Sequence, residues 1–114
     1  MLKGLGALGD MAGMMKKAQE LQGKVTQLQE DLAQTTVMGE SGAGLVTATS
    51  TAKGVLTGLN IDPSIFDPNE KEVVEDLILA AIKDAQAKAQ DKHDREMRRL
   101  TEEMGLPADM NLPF

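Results

Sequence analysis

A heptad repeat of apolar residues near the start of the chain limits the possible folds more than any other feature. Apolar side chains recur there at alternating steps of three and four, which is typical of a helix that packs along one seam. The a positions are Met11, Ala18, Val25 and Leu32, and the d positions are Met14, Leu21 and Leu28. With Asp10 as N-cap, the repeat predicts a helix to about Ala33 that is roughly 35 Å long. A compact domain of 114 residues does not easily cover such a helix, so part of it should protrude or pair.

After this helix the apolar pattern changes to alternation, and glycines separate three short segments rich in Thr and Val. The segments are residues 36–40, 45–51 and 55–61. They predict a small antiparallel sheet, with Lys53-Gly54 as a hairpin turn. No charged residue lies between Glu40 and Lys53, and an uncharged strand at a sheet edge tends to pair with another chain. The middle strand therefore either pairs edge to edge with a second copy or lies at the centre of the sheet.

A second long helix follows the sheet. Asp62-Pro63 ends the third strand, because proline cannot donate to a strand ladder. Asp67, Pro68 and Glu70 then supply an N-cap, a proline at the first helical position and a carboxylate in the first turn. Gly105 and Pro107 predict an end near Met104. We expect the first half to be buried and the second half, with the narrower apolar series from Ala89 to Met104, to project.

The two ends of the chain differ from the segments between them. Residues 1–9 are rich in glycine, which favours a flexible lead-in, and the prolines of residues 105–114 favour an extended tail on an apolar surface or a free end. The glycine-rich start is too short for a signal-peptide core. The whole chain, residues 1–114, is therefore expected to form one domain in the cytoplasm.

The composition removes most residue types that carry catalysis. The chain has no Cys, Trp or Tyr, only one His and only two Phe, which excludes thiolate nucleophiles, Cys-based zinc sites and a row of rings for single-stranded nucleic acid. His93 lies on an apolar helix stripe, where packing is its ordinary role. Residues 39–44 resemble a phosphate loop, but Leu45 and Val46 stand where such a loop needs Lys and Ser or Thr. We expect no enzyme activity, no catalytic residue, no cofactor and no metal.

Basic residues of the last helix form a stripe along one side of it. Its members follow at steps of four, three and four and form a row about 16 Å long. The stripe consists of Lys88, Lys92, Arg95 and Arg99. Acidic residues flank it, namely Asp84, Asp91, Glu96 and Glu103. Because the net charge is −6, the stripe is either a solvated face with intrahelical ion pairs or a local surface for phosphate.

Five short segments, spread over nearly the whole chain, occur in an order typical of one protein family. They are MKKAQELQ at 15–22, GESGAGLV at 39–46, IDPS at 61–64, EDLILAA at 75–81 and LPF at 112–114. Together they resemble the YbaB/EbfC family of bacterial nucleoid-associated proteins. The resemblance implies an α+β fold, an α-β-α protomer with a long N-terminal helix, a three-stranded antiparallel sheet and a long C-terminal helix. It also implies that the protomer dimerises through its sheet.

The family's long helices project like tweezers and contact double-stranded DNA, so the resemblance assigns candidate residues to both interfaces. The DNA-binding candidates are Lys16, Lys17, Lys24, Lys88, Lys92, Arg95, Arg98 and Arg99. The dimer-interface candidates are Leu45, Val46, Thr47, Ala48, Thr49, Val55, Leu77 and Ile78. Arg98 turns away from the stripe, and Thr47 replaces a Lys that members often carry. We expect contacts to the DNA backbone and to DNA shape rather than to base edges.

The function implied by the resemblance is that of a homodimeric nucleoid-associated protein that binds double-stranded DNA and affects nucleoid organisation and transcription. The alternative is a dimeric scaffold whose projecting helices bind a protein partner through Met11, Met14, Met97 and Met104, because methionine suits an adaptable groove. No membrane or small-molecule partner is expected, since no segment approaches the ~18 consecutive apolar residues of a membrane span.

Overall fold

A computed structural model describes residues 2–105 of the chain, with side chains from Met11 onward. The elements, in order, are helix α1 (Leu2–Gln34), strands β1 (Thr36–Ser41), β2 (Val46–Thr51) and β3 (Leu56–Ile61), and helix α2 (Lys71–Glu103). Two short 3-10 turns, Pro63–Ile65 and Pro68–Glu70, join β3 to α2. Two helices around a three-stranded antiparallel sheet confirm the predicted α+β fold class.

The sheet has the order β1-β2-β3, so β2 is the central strand. Its centre pairs Ala48 with Gly39 of β1 on one side and with Leu59 of β3 on the other. The uncharged strand is thus paired on both edges within one chain. Of the two interpretations that the sequence left open, this confirms the one that places the strand at the centre of the sheet. Val46, Ala48 and Ser50 alternate along β2 toward the helix and are completely buried.

The core between the sheet and α2 is built from small side chains. Val46 and Ala48 of β2 pack against Ala81 and Ala85 of α2, and all four are fully buried. Small residues let the helix axis lie close to the strands. Helix α2 covers β1 and β2, while residues 56–60 of β3 stay exposed. Within residues 11–105, the β3 edge of the sheet is therefore uncovered.

The start and end of α2 follow the predicted signals. The Asp67 carboxylate accepts a hydrogen bond from the backbone N–H of Asn69 at 3.0 Å and caps the 3-10 turn that leads into the helix. Asp62 accepts from the Ser64 backbone N–H at 2.8 Å, and this bond lowers the pKa of the Asp62 carboxyl. At the other end Gly105 adopts φ +69°, a left-handed conformation that ends helices.

The start of α1 differs from the prediction. The helix begins at Leu2 rather than near Asp10, so residues 2–9 continue the helix and Asp10 is not its N-cap. Once a long helix has been nucleated, each further residue adds a hydrogen bond, and this offsets the cost of roughly 1 kcal/mol for each glycine. The predicted extended tail, apart from Gly105, lies outside the described residues.

The second half of α2 does not project alone, which corrects the sequence prediction. It packs antiparallel to the second half of α1, where Leu28 of α1 and Leu100 of α2 line one groove, and Leu100 and Met104 are buried. We call this part the helix pair. Residues 11–20 of α1, here called the α1 tip, extend beyond the end of α2 and are all exposed. The molecule is accordingly 83 Å long and only 22 × 17 Å in cross-section.

Candidate nucleic-acid interface

The helix pair brings together basic residues that are far apart in sequence. A groove between the helices is lined by Lys24 of α1 and Arg99 of α2. Lys17 lies two helical turns before Lys24 on the same side of α1, at a distance of about 10.5 Å along the axis. Both helices thus present cations to one side of the pair. We call Lys17, Lys24, Lys92, Arg95 and Arg99 the basic rail.

Three carboxylates, Asp31, Glu96 and Glu103, line the same groove, and carboxylates of α2 neutralise part of the rail. Glu96 accepts from Lys92 Nζ at 3.2 Å and lies 3.9 Å from Arg99, and Arg95 Nε donates to Asp91 at 2.9 Å. These contacts confirm the intrahelical ion pairs that the sequence predicted as one possibility. Exposed pairs contribute only about 0–1 kcal/mol, so a phosphate that offers charge-assisted hydrogen bonds can replace them. Ion pairing and phosphate binding are therefore compatible.

The remaining predicted DNA contacts on the helices lie beside the rail. Arg98 is exposed and lines a shallow depression with Arg95 and Arg99, although Glu102 shares it. Lys16 is exposed on the α1 tip, about 100° around the helix from Lys17. Lys16 and Arg98 can assist the rail at its flanks but do not continue its line.

Lys88 has a structural role that its place in the stripe did not indicate. Its Nζ donates to the Met38 carbonyl of β1 at 3.2 Å and pairs with Asp84 at 3.0 Å. Asp84 in turn accepts from the Glu40 backbone N–H at 2.9 Å. These side chains occupy backbone groups on the outer edge of β1, and we call them the β1 edge cap. Lys88 therefore holds α2 to the sheet, whereas Lys92, Arg95 and Arg99 pair with carboxylates of α2 itself.

The edge cap predicts a pH dependence of stability. The Glu40 N–H and then the Lys88 ammonium favour the charged carboxylate, which lowers the pKa of Asp84. A lowered folded-state pKa gives stability that is present above the ordinary carboxyl pKa and is lost as the pH falls through the lowered value. We expect Asp84→Asn to destabilise the protein at pH 7, and the difference from wild type to shrink below about pH 4.

Urea unfolding at pH 7, 5 and 3 measures this effect. Asp76→Asn, at an exposed carboxylate on the same helix, is the matched control and should change little at any of the three values. An Asp84→Asn variant as stable as wild type at pH 7, or equally destabilised at pH 7 and pH 3, would contradict the assignment.

The predicted dimer-interface residues are only partly accessible. Val46 and Ala48 are 0% exposed within a single chain, because α2 covers that face of β2, and their place in a dimer interface stays a prediction. Leu77 and Ile78 pack against the same core. Thr47 and Thr49 lie half-buried on the opposite face of β2, and Leu45 is half-buried in the turn before it. Only Val55, which is exposed and directly precedes β3, lies next to the open edge strand.

The remaining chemistry-bearing side chains do not converge. Across residues 11–105, no three His, Asp or Glu side chains come close enough together to hold a metal ion. His93 is half-buried, with Nδ1 3.5 Å from Asp94. Met104 is buried and Met97 half-buried, so the methionine surface predicted for a protein partner is reduced to Met11 and Met14. Neither helix is long and apolar enough to cross a membrane within the described residues.

Comparison with known proteins places this arrangement in a family. The chain is 44% identical to a nucleoid-associated protein of Agrobacterium fabrum and 43% identical to one of Maricaulis maris, over 92% of this chain and 98% of each relative. A crystal structure of an uncharacterized Helicobacter pylori protein shares the fold, with a TM-score of 0.65 at 21% identity over 79% of this chain and 91% of that one. The profile of the YbaB/EbfC DNA-binding family matches residues 8–104. The chain belongs to the YbaB/EbfC DNA-binding family.

Proposed function

We propose that this DNA-binding, nucleoid-associated protein acts as a homodimer that binds double-stranded DNA mainly through the phosphate backbone. Binding changes the conformation of the DNA and thereby affects nucleoid organisation and gene expression in the bacterial cytoplasm. The observation that carries the proposal is the basic rail, because the helix pair aligns Lys24 of α1 with Arg99 of α2 along one groove. Cations from two helices thus face one side of an otherwise acidic protein.

The chemistry of the rail favours phosphate over base edges. Lys17 and Lys24 are exposed and present flexible point charges, while Arg95 and Arg99 can bind phosphate oxygens with two hydrogen bonds. Contacts of this kind position a protein on the duplex without reading its sequence. Glu96 competes for two of the cations, so binding should be moderate and sensitive to salt.

The open edge of β3 supports a homodimer. The opposite edge of the sheet carries the β1 edge cap, whose side chains bond to Met38 and Glu40. In contrast, β3 is exposed along residues 56–60 and presents Leu56 and Leu59, which are apolar. A second copy paired at β3 about a twofold axis would extend the sheet to six strands and cover these side chains.

Dimerisation at β3 also explains how weak phosphate contacts along the basic rail can give sufficient affinity for DNA. Two protomers contribute two rails at fixed separation, and the second contact with the same duplex is then intramolecular. If the two rails do not fit a straight duplex, binding to both deforms the DNA. The proposed change in DNA conformation therefore depends on dimerisation at the edge of the sheet.

Leu59→Lys tests the proposed edge. The substitution places a charge on the uncovered apolar face of β3, and the twofold axis places two such charges in one interface. We expect the dimer dissociation constant to rise about 10- to 100-fold. Sedimentation equilibrium or light scattering measures whether the mass corresponds to one 12.2 kDa chain or to two.

Met38→Lys is the matched control, because Met38 is an apolar residue of similar exposure (58% against 50% for Leu59) on the other edge strand. This variant should remain dimeric. A Leu59→Lys protein that keeps its dimer mass while Met38→Lys becomes monomeric would place the interface on the other edge. A wild-type protein that is monomeric at all concentrations would remove the homodimer from the proposal.

A further inference from the structure

Three methionines are exposed together on the α1 tip. Met11, Met14 and Met15 are 61%, 72% and 65% exposed, and at 100° per residue they share an arc of about 100° on the helix. We call these three residues the methionine face. Methionine is a residue type that folding normally buries, and a small protein that exposes several apolar side chains side by side usually binds a partner with them.

Two lysines lie on either side of the methionine face. Lys17 lies about 60° around the helix from Met14, and Lys16 lies about 100° from Met15 on the opposite side. Both lysines are exposed, and residues 11–19 contain no carboxylate. Within the described part of the chain, no ion pair includes either lysine. The α1 tip is therefore an apolar surface with free positive charge, on a chain whose net charge is −6.

This combination of side chains fits DNA better than a protein partner. Lysine is depleted in protein–protein interfaces, and a twofold contact between two α1 tips would bring the lysines of both copies together. A duplex, in contrast, carries phosphates on both sides of each groove, so cations on both sides of an apolar face match its charge. Proteins that bind the minor groove often insert an apolar side chain, methionine among them, between two stacked base pairs.

The methionine face continues directly from the basic rail. Met14 lies three residues before the rail residue Lys17, about 4.5 Å along the helix axis, so a duplex that contacts Lys24 and Lys17 also reaches Met14. Helix α2 does not block this approach. It ends at Glu103, which lines the same groove as Lys24, and residues 11–20 extend beyond that end with every side chain exposed.

We propose that the methionine face inserts between stacked base pairs from the minor groove, with Met14 leading and with Lys16 and Lys17 on the flanking phosphates. The inference rests on the proposed function and adds the side chains that deform the DNA. Insertion separates two base pairs and kinks the duplex, and it costs least at flexible steps such as TA. Each protomer of the proposed homodimer would supply one such insertion.

A preference for DNA that is already unstacked tests the insertion. Fluorescence anisotropy with the full-length protein compares a straight duplex with the same duplex carrying a central unpaired bulge. The bulge removes much of the unstacking cost, so wild type should bind the bulged duplex about tenfold more tightly. This ratio of affinities is independent of the strength of the phosphate contacts, which both duplexes share.

Met11→Ala combined with Met14→Ala should abolish this preference, so that the two duplexes bind within about twofold of each other. The affinity for the straight duplex should stay within about threefold of wild type, because the rail keeps its cations. Alanine is the best helix former, and circular dichroism checks the fold. The control is Met38→Ala, at a methionine that is 58% exposed on β1, and it should keep the tenfold preference.

Fluorescence of 2-aminopurine gives a second readout, because this base analogue becomes brighter when it is unstacked. With the analogue at a central TA step of a straight duplex, saturating wild type or Met38→Ala protein should raise the fluorescence about twofold. The double methionine variant, at concentrations that saturate the same duplex, should leave the fluorescence unchanged.

The outcomes separate this inference from the proposed function. Wild type that binds the straight duplex but shows neither the preference nor the rise in fluorescence would overturn the insertion and leave the proposed function intact. A double variant that keeps the preference would also overturn it. If that variant in addition lost a self-association step of the DNA-free protein, the methionine face would belong to a contact with a second copy. Wild type that bound neither duplex would overturn both proposals.

Discussion

Replacing Lys17, Lys24 and Arg99 together with Ala should lower the affinity for a mixed-sequence DNA duplex about 100-fold at low salt and should flatten the salt dependence. Three rail residues in each of two protomers give six phosphate contacts. Each contact contributes about 0.9 to the slope of log affinity against log salt concentration, so the slope should fall by about 5. Fluorescence anisotropy at several salt concentrations measures both quantities, and circular dichroism checks that the variant is folded.

The matched control replaces Lys53, Lys71 and Lys83 with Ala. Each triple variant loses three basic residues, so both change the net charge of the chain from −6 to −9. Lys53 lies in the hairpin turn, Lys71 starts α2 and Lys83 is exposed on α2, all away from the rail. We expect the control to bind within about threefold of wild type at ~0.15 M salt, where surface charges more than about 8 Å from the duplex are largely screened.

The two variants separate three outcomes. Loss of affinity only in the rail variant supports contact along the helix pair. Equal losses of affinity in both variants would show that the overall electrostatic field of the protein, rather than the rail, governs DNA binding. A rail variant that binds like wild type would make the rail a solvated face with ion pairs and would favour the scaffold hypothesis.

The secondary structure could be predicted because its signals are local. The heptads of α1 and the alternation in the strands follow directly from the repeat of each element, and the Asp67 cap needs only neighbouring residues. In contrast, the helix that covers the apolar seam of α1 is far from it in the sequence. Helical periodicity shows that Val25 and Leu28 need cover, but only the chain path shows that α2 supplies it.

The candidate site also has one part that local sequence patterns predict and another part that they do not. The stripe and its ion pairs are spaced three or four residues apart, so the sequence located them. Lys88 belongs to that spacing and yet bonds to Met38, 50 residues earlier. No local pattern distinguishes a lysine that caps a strand edge from one that faces solvent. Similarly, Val46 and Ala48 looked available because the sequence does not state which face of β2 the helix covers.

Gly39→Ala should destabilise the protein by more than about 3 kcal/mol, a large part of the 5–15 kcal/mol that is typical of a domain. A Cβ at this position would lie 2.1 Å from the Ala85 nitrogen and 2.5 Å from the Ala81 carbonyl oxygen. Both are backbone atoms, so no side chain can rotate away and α2 must move from the sheet. That movement would open the core around Val46 and Ala48, and urea unfolding measures the loss.

Gly58→Ala is the control, because it makes the same substitution in the same sheet without the clash. A Cβ at Gly58 would meet only the side chain of Thr49 at 3.6 Å, an ordinary van der Waals distance. This variant should stay within about 1 kcal/mol of wild type, since removing a glycine also reduces the entropy of the unfolded chain. If Gly39→Ala proved as stable as Gly58→Ala at equal protein concentration, the close approach of α2 to β1 would not limit the fold. The expected difference instead assigns Gly39 to helix packing, although its spacing in the sequence suggested a residue that separates strands.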